Sequence, residues 1–162
     1  MNNILDQNTP SIRELIEKAL EKLYDKEYNS LINLIPNEHV GERACVFRFA
    51  LYFVEELNKY DYFNNYYLDC EYNRYTTIPK RNTNAQLIVP DLIIHQRGNN
   101  NNNLAVLEFK GWWNNNQIDD EKKIKEMISP NGIFRYKEGY TILLNKISDE
   151  TSKFIVKPVR ID

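Results

Sequence analysis

Residues 87–110 decide the fold of this chain, and they read LIVPDLIIHQRGNNNNNLAVLEFK. The two ends of this stretch, 87–96 and 104–110, are apolar on both faces, which is typical of central strands that are covered on each side. Gly98 and the asparagine run 99–103 lie between them, and the simplest role of that run is a loose hairpin loop. We therefore predict two adjacent antiparallel strands at the centre of a sheet.

The register of this hairpin brings charged side chains together at its open end. Folding the two strands symmetrically about the loop pairs Ile93 with Val106, and Asp91 with Glu108. Directly opposed residues have Cβ atoms ~4.5–5.5 Å apart, and Glu108 shares a strand face with Lys110. Like charges that face each other in a sheet are destabilising unless a cation binds them or a proton is shared. This end of the sheet is therefore the candidate site.

Apolar residues at helical spacing predict three helices outside the hairpin. The first covers 11–24, and Ser11 with Glu14 makes a capping box at its start. The longest covers about 37–58, and a third covers 117–129. The apolar stripe of the helix at 37–58 is expected to pack on the sheet.

Three further segments are predicted to be strands. They are residues 66–74, 140–144 and 154–161, and the polar stretch 74–84 is predicted to be a loop. No internal repeat is present, and helices are interspersed with strands along the chain. The expected fold class is α/β with a mixed sheet.

The composition is that of an ordinary globular protein. The chain has 162 residues, of which 42% are hydrophobic and 27% are charged. No apolar run approaches the ~20 residues that a membrane-spanning helix needs, and the first residues do not resemble a secretory signal. We therefore expect a single cytoplasmic domain, in which Cys45 and Cys70 are two buried thiols.

The net charge argues against a strongly basic nucleic-acid binder, and the histidine content argues against a zinc site. The net charge is −2 and the isoelectric point is near 5.8, unlike those of a strongly basic nucleic-acid binder. The uneven distribution of charge is still compatible with a local basic groove. His39 and His95 are too few and too separated for a zinc site. Attention therefore falls on the carboxylates and lysines of the central strands.

A third carboxylate points toward the same place. Glu42 lies within the apolar stripe of the helix at 37–58, in line with Val46 and Phe49. Because that stripe packs on the sheet, Glu42 is carried inward, where a carboxylate is costly without a partner.

These residues resemble the motif of the PD-(D/E)XK nuclease superfamily, which has a restriction-endonuclease-like fold. The chain has Pro90-Asp91, then sixteen residues, then Glu108-Phe109-Lys110, with Glu42 on a preceding helix. The strings Glu-Arg-Ala at 42–44 and Asp-Cys-Glu-Tyr-Asn-Arg at 69–74 also resemble uncharacterised bacterial members.

The resemblance implies a core built from a helix, a three-stranded antiparallel unit, a helix and a further strand. Its mixed sheet would be flanked by helices, and residues about 37–146 can be laid onto that order. Residues 1–36 would then be an N-terminal helical addition, and residues 147–162 a C-terminal strand addition, to a single domain.

The resemblance also implies roles for the site residues. Asp91 and Glu108 would be metal-binding carboxylates, and Lys110 would position or activate the attacking water. Glu42 would complete the metal site, directly or through metal-bound water. The implied cofactor is Mg²⁺, with Mn²⁺ as a substitute, because carboxylate and phosphate oxygens suit such ions and no cysteine or histidine cluster is needed.

Four more charged residues have two interpretations each. Asp69 and Glu71 contribute a further ligand or steer substrate, or they lie on a solvated strand face. Asp120, with Lys123 nearby, supports the site from the inner face of its helix. Alternatively, Asp120 is an acid at a helix N-terminus that the helix dipole stabilises.

A further group of residues is predicted to contact nucleic acid. Trp112 and Trp113 either stack on bases or pack against the next helix. Arg74, Lys80 and Arg81 are candidates for phosphate contacts, and solvated loop charges are the alternative.

Two functions from different classes stay open. The first is a metal-dependent nuclease that hydrolyses phosphodiester bonds, of DNA rather than RNA, by metal-activated water. It would act alone, as a homodimer, or within a larger nucleic-acid-processing or anti-phage assembly. The second is a catalytically inactive module of the same fold that binds nucleic acid or a protein partner. The set of three acids and one lysine favours the first function, and the acidic isoelectric point mildly favours the second.

Overall fold

The structure, a computed structural model, describes residues 9–33, 41–75, 77–82, 84–114, 118–148 and 150–161. Within these residues the chain is an α/β protein in which three α-helices flank a five-stranded mixed sheet. No helix in this described part is both long enough and apolar enough to cross a membrane.

The described part of the chain contains helices and strands with the following bounds. The helices are α1 (Ile12–Glu27), α2 (Glu42–Leu57) and α3 (Ile118–Ile128). The strands are β1 (Tyr67–Cys70), β2 (Arg74–Tyr75), β3 (Ile78–Pro79), β4 (Leu92–His95), β5 (Asn103–Gly111), β6 (Glu138–Leu144) and β7 (Phe154–Pro158). Strands β2 and β3 form a separate two-stranded sheet.

The large sheet has the strand order β1-β4-β5-β6-β7. Only the β5–β6 pair is parallel within it, and the other neighbours are antiparallel, so the predicted mixed sheet is confirmed. The predicted hairpin register is confirmed from Leu92 to Ile94, because Ile93 pairs with Val106 and Leu92 with Leu107, and it shifts by one residue at His95, which pairs with Asn103. The chain order of α2, three antiparallel strands, α3 and β6 is compatible with the predicted core.

The start of α1 follows from its local sequence. The Ser11 hydroxyl accepts a hydrogen bond from the backbone N–H of Glu14 at 3.2 Å, and the Glu14 carboxylate accepts one from the Ser11 N–H at 2.7 Å. The predicted capping box is therefore present, and it satisfies N–H groups that have no partner inside the helix.

The sheet is covered on both faces, as its apolar central strands require. Helices α1 and α2 pack on one face, where the rings of Phe49 and Phe109 lie 4.9 Å apart. On the other face, Ile124 and Met127 of α3 pack in one cluster with Ile93 and Val106. From Ala105 onward, alternate residues of β5 therefore face different cores, and Glu108 and Lys110 belong to the face that α3 covers.

A glycine in β6 lets α3 approach the sheet closely. A Cβ atom added to Gly139 would lie 2.2 Å from Cγ2 of Ile124, far inside van der Waals contact. A side chain at this position would force the side chain of Ile124, or α3 itself, to shift. This close packing is what brings the first turns of α3 over the end of β5.

Several predicted elements are shorter in the structure. Helix α2 begins at Glu42, after Gly41 in extended conformation, and residues 34–40 lie outside the described part of the chain. Strand β1 ends at Cys70 because Glu71 adopts a positive φ of 48°. The segment 74–84, predicted to be a loop, instead contains the β2–β3 hairpin.

The predictions of a loose asparagine loop and of a buried Cys70 are also wrong. The asparagine loop is anchored rather than loose, because the side chain of buried Asn103 donates a hydrogen bond to the Phe134 carbonyl at 2.6 Å. Cys45 is buried as expected, but Cys70 is exposed at the end of the edge strand β1.

Candidate functional site

Three carboxylates and two lysines form a charged network where β5 ends beneath the first turns of α3. Lys110 on β5 lies 2.9 Å from Oδ2 of Asp120 and 3.9 Å from Oε2 of Glu42, measured from its Nζ atom. Lys123 Nζ lies 2.8 Å from Oε2 of Glu108 and 3.9 Å from Oδ1 of Asp120. Each lysine therefore joins an acid of one element to an acid of another.

Glu108 is the most buried member of this network. Its exposed fraction is 2%, and its Oε1 atom has no hydrogen-bond partner, whereas its Oε2 atom lies 2.8 Å from Nζ of Lys123. Burial, reinforced by the nearby charge of Asp91, raises the pKa of Glu108 to about 8, and Lys123 offsets only part of this. A buried carboxylate with one unsatisfied oxygen is costly, so this position is suited to receive a cation.

Asp91 lies immediately before β4, beside Glu108 at the open end of the hairpin. Its Oδ2 atom accepts a hydrogen bond from the Phe109 backbone N–H at 2.7 Å, which ties the side chain to β5. Burial raises the pKa of Asp91, and the hydrogen bond from Phe109 opposes that shift. Asp91 also lines a cavity of about 150 Å³ together with Glu71 and Cys70.

Lys110 is held as a cation. Burial alone would lower the pKa of Lys110, but the contact with Asp120 and the charge of Glu42 outweigh it, so the pKa is raised. An ammonium group in this state supplies positive charge, and it does not act as a base at neutral pH.

Glu42 occupies the first turn of α2, where the helix dipole favours an anion. Its Oε1 atom accepts a hydrogen bond from Nδ2 of Asn114 at 2.7 Å, and Lys110 lies on its other oxygen. Asn114 was not predicted from the sequence as a site residue. It stands at the start of a polar asparagine run, which has no pattern that would have identified it.

A second cavity opens beside the network on the α3 face of the sheet. It has a volume of about 190 Å³ and is lined by Glu108, Lys110 and Asp120 on one side. Strands β6 and β7 contribute its apolar wall through Ile142, Leu143 and Ile155. The charged network therefore faces a space that water or a ligand can enter.

The structure thus places Glu42, Asp91, Glu108 and Lys110 at one end of the sheet, and their chemical roles stay predictions. Within the described residues, no three histidine, cysteine or acidic side chains are grouped closely enough to hold a metal ion by themselves. Mg²⁺ does not need such a group, because it is commonly bound by one or two carboxylates, with water and substrate phosphates completing its coordination. The unsatisfied Oε1 of Glu108 beside Asp91 fits an ion of this kind.

The four other acidic and basic candidates lie in different places in the structure. Asp120 and Lys123 lie within the network, as described above. Glu71 forms an ion pair with Arg43 at 2.6 Å and lines the smaller cavity. Asp69 is directed elsewhere, because His95 binds its carboxylate at 2.8 Å and Arg97 binds it at 2.9 Å. A role for Asp69 as a ligand at this site is therefore wrong.

The tryptophans pack against the main core, which contains α1 and α2, whereas the second of their two interpretations placed them against the next helix. Trp112 donates a hydrogen bond from Nε1 to the Ile32 carbonyl at 2.9 Å, and its ring lies 5.7 Å from that of Trp113. Both are partly buried against the main core. Arg74 is exposed, as is Arg81, whose Nη1 donates to the Ala85 carbonyl at 2.6 Å.

Lys80 is buried, with an exposed fraction of 2%, so its predicted phosphate contact is wrong. Its ammonium donates hydrogen bonds to the Tyr72 carbonyl at 3.2 Å and to the Tyr136 hydroxyl at 3.3 Å. The rings of the same two tyrosines lie 4.9 and 5.9 Å from the ammonium. These neutral partners do not repay the lost hydration, so burial lowers the pKa of Lys80 to about 8.

We predict that Lys80→Met stabilises the protein at neutral pH. The pKa of Lys80 is about 8 in the folded state against 10.5 unfolded, so the unfolded chain binds more protons between these values and stability rises with pH there. Below pH 8 the full cost applies, so the variant should gain up to about 3 kcal/mol. Urea denaturation at pH 7 and pH 10 measures this. The exposed Lys137→Met is the control, and equal stabilities at pH 7 would contradict the prediction.

Comparisons with protein-family models, with curated proteins and with solved structures found no match to this chain. The resemblance to the PD-(D/E)XK superfamily therefore depends on the residues and geometry described above.

Proposed function

We propose that this protein is a Mg²⁺-dependent nuclease of the PD-(D/E)XK type that hydrolyses phosphodiester bonds, with DNA as the favoured substrate. The observation that carries the proposal is the Glu108 carboxylate. It is buried, one of its two oxygens has no hydrogen-bond partner, and it lies near Asp91 in the charged network that includes Lys110. A sheet would not retain such a site for stability, because two nearby acids raise the cost of burying each other.

Asp91 and Glu108 would hold the metal ion, and Glu42 would complete its site directly or through metal-bound water. When bound, such an ion lowers the pKa of a coordinated water and neutralises charge on the phosphodiester. The Phe109 backbone N–H keeps Asp91 oriented toward β5. This hydrogen bond therefore restrains the orientation of a carboxylate proposed to bind the ion.

Lys110 would act through its positive charge. Asp120 holds the ammonium at 2.9 Å, beside the cavity that the site faces. A cation fixed at that point stabilises negative charge that develops on the phosphate oxygens during water attack. Asp120 would therefore be a positioning residue for Lys110.

A second function is favoured by one observation. Glu108 and Asp120 are already paired with Lys123 and Lys110, so the network is largely neutralised without a metal ion. A catalytically inactive module that binds nucleic acid or a protein partner through the same fold would show this arrangement as well. The two functions differ in whether a phosphodiester bond is broken.

A cleavage assay separates these functions. We expect the purified protein to degrade single-stranded, duplex or branched DNA when Mg²⁺ or Mn²⁺ is present, because both ions prefer carboxylate and phosphate oxygens. EDTA should abolish the products on gel electrophoresis, and excess Mg²⁺ should restore them. Matched RNA substrates test the preference for DNA. Cleavage that persists in EDTA, or that is absent with every substrate and both ions, would refute the proposal.

A further inference from the structure

Lys123 is the residue that compensates the most buried acid of the site. Its Nζ atom lies 2.8 Å from Glu108 Oε2, and it also donates a hydrogen bond to the Val89 carbonyl at 3.3 Å. The two partners differ in their access to solvent, because the side chain of Lys123 is 27% exposed and that of Glu108 is 2% exposed. The ammonium can therefore leave this pair for water, whereas the carboxylate cannot.

The ammonium of Lys123 lies so close to the Glu108 carboxylate that it would repel a metal ion bound there. A divalent cation bound to the Glu108 carboxylate would lie close to this positive charge, and like charges at such distances repel strongly. Both cations compete for a single buried acid, because Asp120 is 3.9 Å from Lys123 and already contacts Lys110 at 2.9 Å.

The neighbouring surface can accept the displaced ammonium. Lys123 lines an open cleft of about 560 Å³ between α3 and the segment that precedes Asp91. Lys122 and the amide side chains of Asn82 and Asn84 line the same cleft. An ammonium that moves into this space regains hydration without any change in the backbone of α3.

We propose that Lys123 is a resident counter-cation, which a divalent metal ion displaces from Glu108 into the adjacent cleft. This inference rests on the proposed function, since it assumes that the site binds a metal ion. Metal loading would then expose a second amine beside Lys122, in the cleft next to the site. A purely structural ion pair between Lys123 and Glu108 would instead stay closed when a metal ion binds.

Amine acylation of the intact wild-type protein distinguishes these possibilities. The rate at which sulfo-NHS acetate modifies each lysine is measured by mass spectrometry with Mg²⁺ and with EDTA. We expect saturating Mg²⁺ to raise the acylation rate of Lys123 by about fivefold or more, while that of the exposed Lys137, which lies outside this cleft, stays constant as an internal control. In Glu108→Gln, Lys123 should react rapidly with or without Mg²⁺.

Calorimetric titration of Mg²⁺ into the same wild-type protein identifies which proposal fails. If Mg²⁺ binds and Lys123 reacts at the EDTA rate, the displacement is wrong and the proposed nuclease is unaffected. If no Mg²⁺ binds and no DNA is cleaved, the inference falls together with the proposed function. A Glu108→Gln variant whose Lys123 stays protected would also overturn the displacement, because the acid would not be what holds the ammonium.

Discussion

Replacing Asp91 by alanine should reduce DNA cleavage by about 10²–10³-fold or more, the cost of removing one preorganised electrostatic group from an active site. Asp91 is one of two acids proposed to hold the metal ion, and the remaining acid, Glu108, is paired with Lys123. The fold should survive, because burial disfavours the charge of Asp91 and the substitution removes that cost. Single-turnover cleavage rates and thermal unfolding of the same samples test both statements.

Two further variants make this result specific. Lys110→Ala should cause a comparable loss of activity, because it removes the fixed cation proposed to face the phosphate. Asp61→Ala changes an exposed acid on a 3₁₀ turn and should cleave at the wild-type rate. Wild-type activity in the Asp91 or Lys110 variant would contradict the proposed roles.

Replacing Glu108 by glutamine should abolish cleavage and, in EDTA, stabilise the protein at alkaline pH. The pKa of Glu108 is about 8 when folded and 4.5 in the unfolded reference, so the folded state retains the proton longer. The stability that this group contributes is fully present below pH 4.5 and is lost as the pH rises through 8. Glutamine cannot ionise, so the variant should be more stable than wild type by about 5 kcal/mol at pH 9.

Chemical denaturation at pH 4.5 and pH 9 measures this difference. The advantage of Glu108→Gln should be present at pH 9 and nearly absent at pH 4.5, while the exposed Glu150→Gln should match wild type at both. Mg²⁺ should stabilise the wild type and leave the glutamine variant unchanged, because a ligand stabilises only the state that binds it. A glutamine variant that is less stable than wild type at pH 9 would show that Glu108 is a structural anion.

The local features of the fold were predictable from the sequence. The pairing of Ile93 with Val106 follows from the symmetry of the hairpin, and the juxtaposition of Asp91 with Glu108 follows from the same register. The capping box of α1 depends on only four consecutive residues. Such features involve residues that are close in sequence, so spacing alone constrains them.

Other features depended on contacts between distant segments. The exposure of Cys70 results from the edge position of β1, and the burial of Lys80 results from packing against Tyr72 and Tyr136. The asparagine loop is anchored by the chain near Phe134, thirty-one residues beyond Asn103. Residue spacing carries no information on which segment will cover a lysine or anchor a loop.

The sequence by itself determined which strand ends carry the acids, because the two-residue period of a strand and a short hairpin leave one register that buries the apolar faces. The tertiary structure decided how those acids are compensated. Close packing of α3 on Gly139 brings Lys123 to Glu108 and Asp120 to Lys110. Charge pairing across elements depends on distances of a few ångströms, which only the assembled core sets.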